Sequence, residues 1–294
     1  VFAVFDPGWP WTLDALGEAF ESSGFGGLED VTHWVYTHTH IDHMGGAALL
    51  EDRSDASHYT VSQTTDLLGS WHTFQDSMSD WASWVDEAIA DQKLVDWWRS
   101  NRKSKGPIRG MVRNYGERAI ERVELFELGD RLEIGSLTLD VIDAKGHDPY
   151  HVVFYEQSRG WLFGGDVILS TPTPIVRAMN DDLIAYQETL DRLATLEVDL
   201  LLPGHGMHRS GKYEQSIARS RSHIEDFSNR IATALRSMPA PAGLLAVSGT
   251  VFPDLWEQHQ TQMFVNLALI DSHLQAMVAS GVVELFEGPR YKIS

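Results

Sequence analysis

Residues 37–46 read THTHIDHMGG and place three histidines and one aspartate within six positions. They follow the β-branched and aromatic run His33-Trp34-Val35-Tyr36-Thr37. On extended backbone the side-chain direction repeats every two residues, so His38 and His40 face the same side. Asp42 and His43 come next, at the start of a helix whose Gly45-Gly46 pair is expected to let the backbone crowd against whatever the side chains hold. Imidazoles and a carboxylate gathered this closely are costly unless a cation is present. For any one of these histidines an ordinary hydrogen bond is explanation enough; His-x-His-x-Asp-His as a unit asks for a metal.

Further ligand-type residues recur downstream, each flanked by glycine just past an expected strand. Gly146-His147 follows Leu137–Ile142, Gly164-Gly165-Asp166 follows Trp161–Phe163, and Pro203-Gly204-His205-Gly206 follows the apolar Val198–Leu202. The chain has no cysteine. That excludes disulfides, thiolate nucleophiles and cysteine-containing zinc sites, leaving His, Asp, Glu and water to hold any metal. Such ligands suit Zn(II), the default, and also Fe or Mn. No GxSxG elbow, phosphate-cradling GxxxxGK loop or GxGxxG dinucleotide fingerprint occurs.

In this order THTHIDH, GHDPYH, GGD and PGHG resemble the metallo-β-lactamase-fold hydrolases, in particular the glyoxalase II-like members with two metals, over roughly residues 1 to 210. The resemblance implies an α+β fold, a four-layer αββα sandwich with the site at one edge. It also implies a ligand set: His38, His40 and His147 on the first metal, Asp42, His43 and His205 on the second, and Asp166 bridging. Asp6-Pro7-Gly8 resembles the Asp-x-Gly turn whose aspartate supports a metal ligand in this fold. Relatives commonly carry Thr-Pro-Gly where this chain has Asp148-Pro149-Tyr150. Tyr150 is therefore expected either to line the pocket or to pack, and His151 to support the site or the structure.

The chemistry so implied is hydrolysis by a hydroxide bridging two divalent ions, with one metal polarising the substrate carbonyl and Asp42 orienting the hydroxide and handling its proton. The expected substrate is a thioester, lactone or related ester. A β-lactam stays open, since a fold's name is not a substrate. The alternatives are a ribonuclease or phosphodiesterase, a persulfide-dioxygenase-like oxidoreductase with a single iron, and a non-catalytic binding module. Only 38 residues separate Asp166 from His205, too few for the extra domain of the larger RNA-processing members.

Around these motifs, strand-like stretches at Val1–Phe5, His33–Thr37, Ser57–Val61, Val123–Phe126, Leu137–Ile142, Val152–Tyr155, Trp161–Phe163 and Val198–Leu202 alternate with helical periods at Trp11–Phe20, Met44–Leu50 and Leu183–Leu196. The stretch 66–122 reads as a helical insertion holding five of the ten tryptophans, Trp71, Trp81, Trp84, Trp97 and Trp98, with Ser79 as a candidate N-cap. Core packing against the main body is its favoured role, over a substrate lid. From residue 211 to 294 comes a long amphipathic helix broken at Pro239-Ala240-Pro241, two shorter helical segments and a terminal hairpin, a winged-helix-like appendage. It looks like the tail of the subset related to β-lactamase-like protein 2. The insertion and the appendage each offer a homodimer interface.

With 42 acidic against 23 basic residues the net charge is −19, which repels phosphate backbones and makes nucleic acid a poor partner despite Arg219, Arg221, Arg230 and Arg236. No apolar run is long enough for a transmembrane helix, so a soluble, cytoplasmic protein acting on a small molecule is expected. Val1 is not an initiator Met and VFAVFDPG already reads as a strand entering a turn; residues, and with them any targeting segment, are expected before it. Of the remaining histidines, His33 is expected to belong to the strand before the motif, and those at 58, 72, 208, 223, 259 and 273 show no companion pattern and are expected to be surface or hydrogen-bonded.

Overall fold

Strands β1 (Ala3–Phe5), β2 (His33–Val35), β3 (Ser57–Val61) and β4 (Val123–Phe126) form a wholly parallel sheet in that order. The computed structural model describes residues 1–68, 81–102 and 119–294, the side chains of 101 and 102 excepted. A second, six-stranded sheet has the order β10-β9-β8-β7-β6-β5, comprising Arg209–Ser210, Leu200–Pro203, Trp161–Gly165, Val152–Glu156, Leu137–Asp143 and Arg131–Ile134. Its pairs are antiparallel except β8 with β9.

The alternation of side chains sorts the core. On β2, Val35 faces the second sheet, joining Val61, Phe126, Val141, Val152 and Phe154 between the two sheets. Its neighbour Trp34 faces outward, onto Leu13 of helix α1 (Leu13–Ser22) and the turns α2 (Ile41–Met44) and α3 (Ala47–Leu50). The strand Val152–Glu156 is buried at every position because both its faces are covered: Val152 and Phe154 face the first sheet, while Val153 and Tyr155 meet α7 (Leu183–Leu193) and the start of α8 (Tyr213–Arg236). The result is an αββα sandwich.

Helix α4 (Thr65–Leu68) precedes two helices of the insertion, α5 (Trp81–Ala88) and α6 (Gln92–Arg102). Trp84, Val85 and Ala88 are buried in one cluster with Val176 and Ala178, from the turn before α7, and with the C-terminal helices, and the Trp97 ring stacks on Phe264 at 5.9 Å. Core packing on the main body is thus observed as expected, at Val176 and Ala178, and it extends to the long helix α10 (Gln260–Ala279) and α9 (Leu244–Val251), which share the same apolar cluster. Trp71, His72 and Ser79 lie outside the described residues. Helix α8 joins the two cores: Tyr213, Ile217 and Ile224 pack on the sandwich, and Phe227, Ile231 and Leu235 on the C-terminal cluster. Strands β11 (Ala242–Gly243), β12 (Val283–Phe286) and β13 (Arg290–Ile293) close the chain as a small antiparallel sheet with β13 central. Among the described residues no helix is long and apolar enough to cross a membrane.

Several expectations are corrected. The strand expected to reach Thr37 ends at Val35, since the Thr37 N–H is drawn to the Asp6 carboxylate at 2.8 Å. The helix expected over Met44–Leu50 is two four-residue turns separated by Gly45-Gly46. Gly46 lets the backbone close on the Gly8 turn and on α1: its N–H bonds Gly8 O at 3.0 Å, and a Cβ there would lie 2.9 Å from Leu13 Cδ2. Strands β5, β10 and β11 carried no clear signal; β5 is a short edge of four residues alternating charged and apolar, and the others have two residues each.

Candidate metal centre

Topology brings the motifs to one edge. Strands β1 and β2 are parallel, as are β8 and β9, while β7 pairs antiparallel with both β6 and β8. Asp6 therefore leaves the end of β1, His38 and His40 follow β2, His147 lies in the turn between β6 and β7, Asp166 leaves β8 and His205 follows β9. Asp42 and His43 sit on α2, as expected.

Two triads result. Ligand atoms of His38, His40 and His147 lie within 4.8 Å of one another, as do those of Asp42, His43 and His205. Asp166 stands between them: its Oδ2 is 3.7 Å from His147 Nε2 and 3.3 Å from His205 Nε2, and its Oδ1 is 3.4 Å from His43 Nε2. His205 Nε2 is 3.1 Å from Asp42 Oδ2. All but Asp42 and His205 are buried. A Cβ at Gly204 would fall 2.4 Å from Asp166 Oδ1 and 2.6 Å from His43 Cε1, so only glycine lets the His205 loop approach this closely. Asp6, His38 and His43 also converge, but their facing atoms are already engaged with one another and with Thr37.

A supporting layer fixes which ring nitrogens face inward. Asp6, held at φ 51° in the left-handed region that non-glycine residues rarely occupy, accepts the Thr37 hydroxyl at 2.7 Å and lies 3.1 Å from His43 Nδ1. Because the Thr37 hydroxyl donates to Asp6, its oxygen accepts from His38 Nδ1 at 2.9 Å. His38 Nε2 is thereby left unprotonated. His147 Nδ1 turns to Pro174 O at 3.4 Å, again leaving Nε2 for the site. His151 stacks on His38 with ring centroids 4.5 Å apart, and its Nε2 accepts the Asp166 N–H at 3.1 Å. Tyr150 packs at the margin of two apolar clusters, its N–H bonded to Asp148 Oδ1 at 2.6 Å. Asp148 also accepts the Thr39 hydroxyl, tying the two histidine loops together. Thr37, Thr39 and Asp148 were not singled out in the sequence; their only signal is adjacency to ligands.

The electrostatics match a cation site. Burial, with the neighbouring imidazoles, pushes His38 well below its ordinary value. Burial likewise brings His40 and His147 down to about 4, so these three offer neutral lone pairs. Burial opposes charge on His43 as well, but Asp6 and Asp166 overcome it and raise it to about 10. Asp166, despite its burial, is held far below the usual carboxylate range by His205 and His43. The charge on His43 thus takes the part a divalent ion would play beside Asp166, and the same carboxylate raises His205. His38 Nε2, His40 Nε2 and Asp166 Oδ1 are buried with no hydrogen-bond partner, which the donor set of a metal centre accounts for. A cavity of about 950 Å³ beside β1 touches Asp6, Thr37, Gly165 and Gly204, but none of the ligand histidines lines it.

The model of the metallo-β-lactamase superfamily matches residues 2–205. The chain belongs to that superfamily. It is similar to the probable metallo-hydrolase YqjP of Bacillus subtilis (strain 168), 24% identical over 274 residues, covering 89% of this chain and 79% of that protein. It is also similar to the acyl-coenzyme A thioesterase MBLAC2 of Homo sapiens, 24% identical over 179 residues, covering 58% of this chain and 54% of that protein; the chain spans about half of that protein's length. The crystal structure of a metallo-beta-lactamase family protein from Thermus thermophilus shares the fold, with a TM-score of 0.67 at 21% identity, covering 96% of this chain and 85% of that one. Within this metallo-β-lactamase-superfamily chain, the fold and the His/Asp clusters support a metallohydrolase.

Proposed function

We propose that the chain is a dinuclear metallohydrolase that cleaves a thioester, lactone or related ester. The observation that carries the reading is Asp166, whose Oδ2 lies between His147 of the first triad and His205 of the second and whose Oδ1 faces His43 of the second. Two divalent ions in this set, zinc by default and iron or manganese by ligand chemistry, would supply Lewis acidity toward an acyl carbonyl and activate water near neutral pH.

The chain's own groups do the rest. The Asp42 side chain is a quarter exposed, its Oδ2 beside His205 Nε2, and so faces the open side of the cluster. It is the carboxylate placed to accept a proton from attacking water and return it to the leaving group. Asp6 and Thr37 hold His38 and His43 in one tautomer and orientation; His151 holds the backbone of Asp166. The name of the human relative favours a thioester. The three helices and small sheet after residue 211 support a winged-helix-like tail, and the acidic chain favours a packing role for it over nucleic-acid binding.

Metal analysis of the purified chain, followed by an acyl-thioester and lactone panel, tests the reading. Two zinc ions per chain with thioester turnover is the expected result. One iron per chain, or no turnover of either class with both sites filled, sinks it.

A further inference from the structure

We infer that Asp271 and Ser272, on helix α10, are positioning residues for His147 and act on it through the turn 173–182. The inference rests on His147 being a metal ligand, as proposed above. Among the described residues His147 Nδ1 bonds only to the backbone oxygen of Pro174, at 3.4 Å, near the limit of a hydrogen bond. Where that carbonyl stands therefore decides whether His147 keeps its Nε2 lone pair pointed at the site. The turn that carries Pro174 is closed internally by Asp181, which accepts the Val176 N–H at 2.6 Å. It also reaches both ligand loops: Thr173 Oγ1 donates to Asp166 O at 2.6 Å, and the Asp182 N–H to Gly146 O at 2.7 Å.

What stakes the turn in place comes from the far end of the chain. The Arg177 N–H donates to Ser272 Oγ at 2.9 Å, and Arg177 Nη1 to Asp271 Oδ2 at 2.8 Å. Asp271 is fully buried and makes a rigid anchor. Its Oδ2 also accepts Trp84 Nε1 from the insertion at 2.9 Å, and its Oδ1 accepts Gln275 Nε2 at 3.0 Å and the Tyr291 hydroxyl at 3.3 Å. Four donors from four places in the chain leave that carboxylate one position. Releasing Arg177 frees the turn, lets Pro174 O drift from His147 Nδ1, and weakens the ligand's orientation. The C-terminal segment is thus built into the metal centre from which its residues stand apart.

The test is a Zn(II) competition titration on the full chain against a chromophoric chelator, with the absorption spectrum of the Co(II)-substituted protein as a second readout. Asp271→Asn and Ser272→Ala should each weaken the tighter or looser of the two zinc sites, whichever holds His147, by about tenfold, within the range for groups that orient ligands. Both should also alter the Co(II) bands. Val247→Ala, which opens the buried C-terminal cluster at a side chain on α9 and leaves Arg177, Asp271 and Ser272 in place, should lower the Tm and leave zinc affinity and spectrum unchanged. If Asp271→Asn does not fold, Arg177→Gln and Ser272→Ala carry the measurement. The inference is overturned if the turn variants bind zinc within about twofold of the unaltered chain, well short of the orienting effect, or if Val247→Ala weakens binding as much as they do. An unaltered chain that takes up no zinc, iron or manganese would instead overturn the metal reading, and this inference with it.

Discussion

Two buried polar clusters in this molecule are opposite in kind. Around Asp271 each carboxylate oxygen receives two donors, from Trp84 and Arg177 on one side and Gln275 and Tyr291 on the other. Around Asp166 the groups are equally buried, yet His38 Nε2, His40 Nε2 and Asp166 Oδ1 find no partner. An unsatisfied buried polar group costs roughly 1 to 3 kcal/mol, so the second cluster is destabilising as protein alone. A network that folding completes is a structural pin; one that folding assembles but leaves open is completed by a ligand, here a cation. Because the two clusters respond differently to loss of a member, substitutions can separate them.

The largest effect is expected at the open cluster. Asp42→Asn keeps the shape of the side chain but removes its basicity, and activity on a thioester should fall by on the order of 10² to 10⁴-fold, the usual worth of a positioned acid–base group. A kcat/KM within a few-fold of the unaltered enzyme would remove Asp42 from that role. Next comes Asp6→Asn, which takes charge from the group that orients His43 and, through Thr37, His38. Zinc affinity should drop about 10 to 100-fold, read by chelator competition, with the fold intact by circular dichroism.

How far this contrast could be read from sequence differs between its halves. The open cluster was legible because its chemistry is local: His38, His40, Asp42 and His43 lie within six positions, and His147, Asp166 and His205 each stand beside glycine after a strand. The layers came with the family resemblance that these motifs carry, and the two faces of β2, with Val35 inward and Trp34 outward, are seen only in the structure. Asp271 was not legible. Its donors sit at 84, 177, 275 and 291, only Gln275 lies at helical spacing from it, and a lone Asp in an amphipathic pattern reads as solvated. The role of Gly45-Gly46 was misplaced because spacing shows that backbone must come close to something, not to what. Thr37 was missed because its part depends on the left-handed backbone at Asp6, which the Pro7-Gly8 turn sets up and no residue type announces.

Acid should loosen the metal-free protein, and the sign follows from the histidines. His40, His147 and, in the C-terminal core, His273 are each brought to about 4, chiefly by burial, against 6.5 for the group in an unfolded chain. The unfolded state then binds more protons between those values, so their stabilising contribution is complete above about 6.5 and is lost as pH falls toward about 4, at about 1.4 kcal/mol per pH unit for each histidine. His43, raised to about 10, runs the other way: its contribution is whole below about 6.5 and disappears as pH climbs through about 10. Zinc should move the ligand histidines' share of the acid loss to lower pH and leave that of His273 where it was. Thermal unfolding from about pH 7 to about pH 4.5, with and without zinc, reads this directly; a metal-free Tm that stays level over that range would contradict it.

The smallest effect belongs to the satisfied cluster, and its smallness is the point. Tyr291→Phe removes a hydroxyl that donates to Asp271 Oδ1 at 3.3 Å and accepts from Gln275 Nε2 at 3.1 Å. Asp271 Oδ1 keeps Gln275 Nε2 at 3.0 Å, so no buried oxygen is orphaned. The ring still fills its place in the C-terminal core. Only the net worth of the hydroxyl's two hydrogen bonds is lost, roughly 1 to 3 kcal/mol in all, and zinc affinity should not change because Arg177 remains anchored on Oδ2. Denaturant unfolding and zinc titration on the same variant measure both quantities. A loss several times larger would mean that the four donors act as one cooperative unit, and that the pin is as unforgiving as the site it braces.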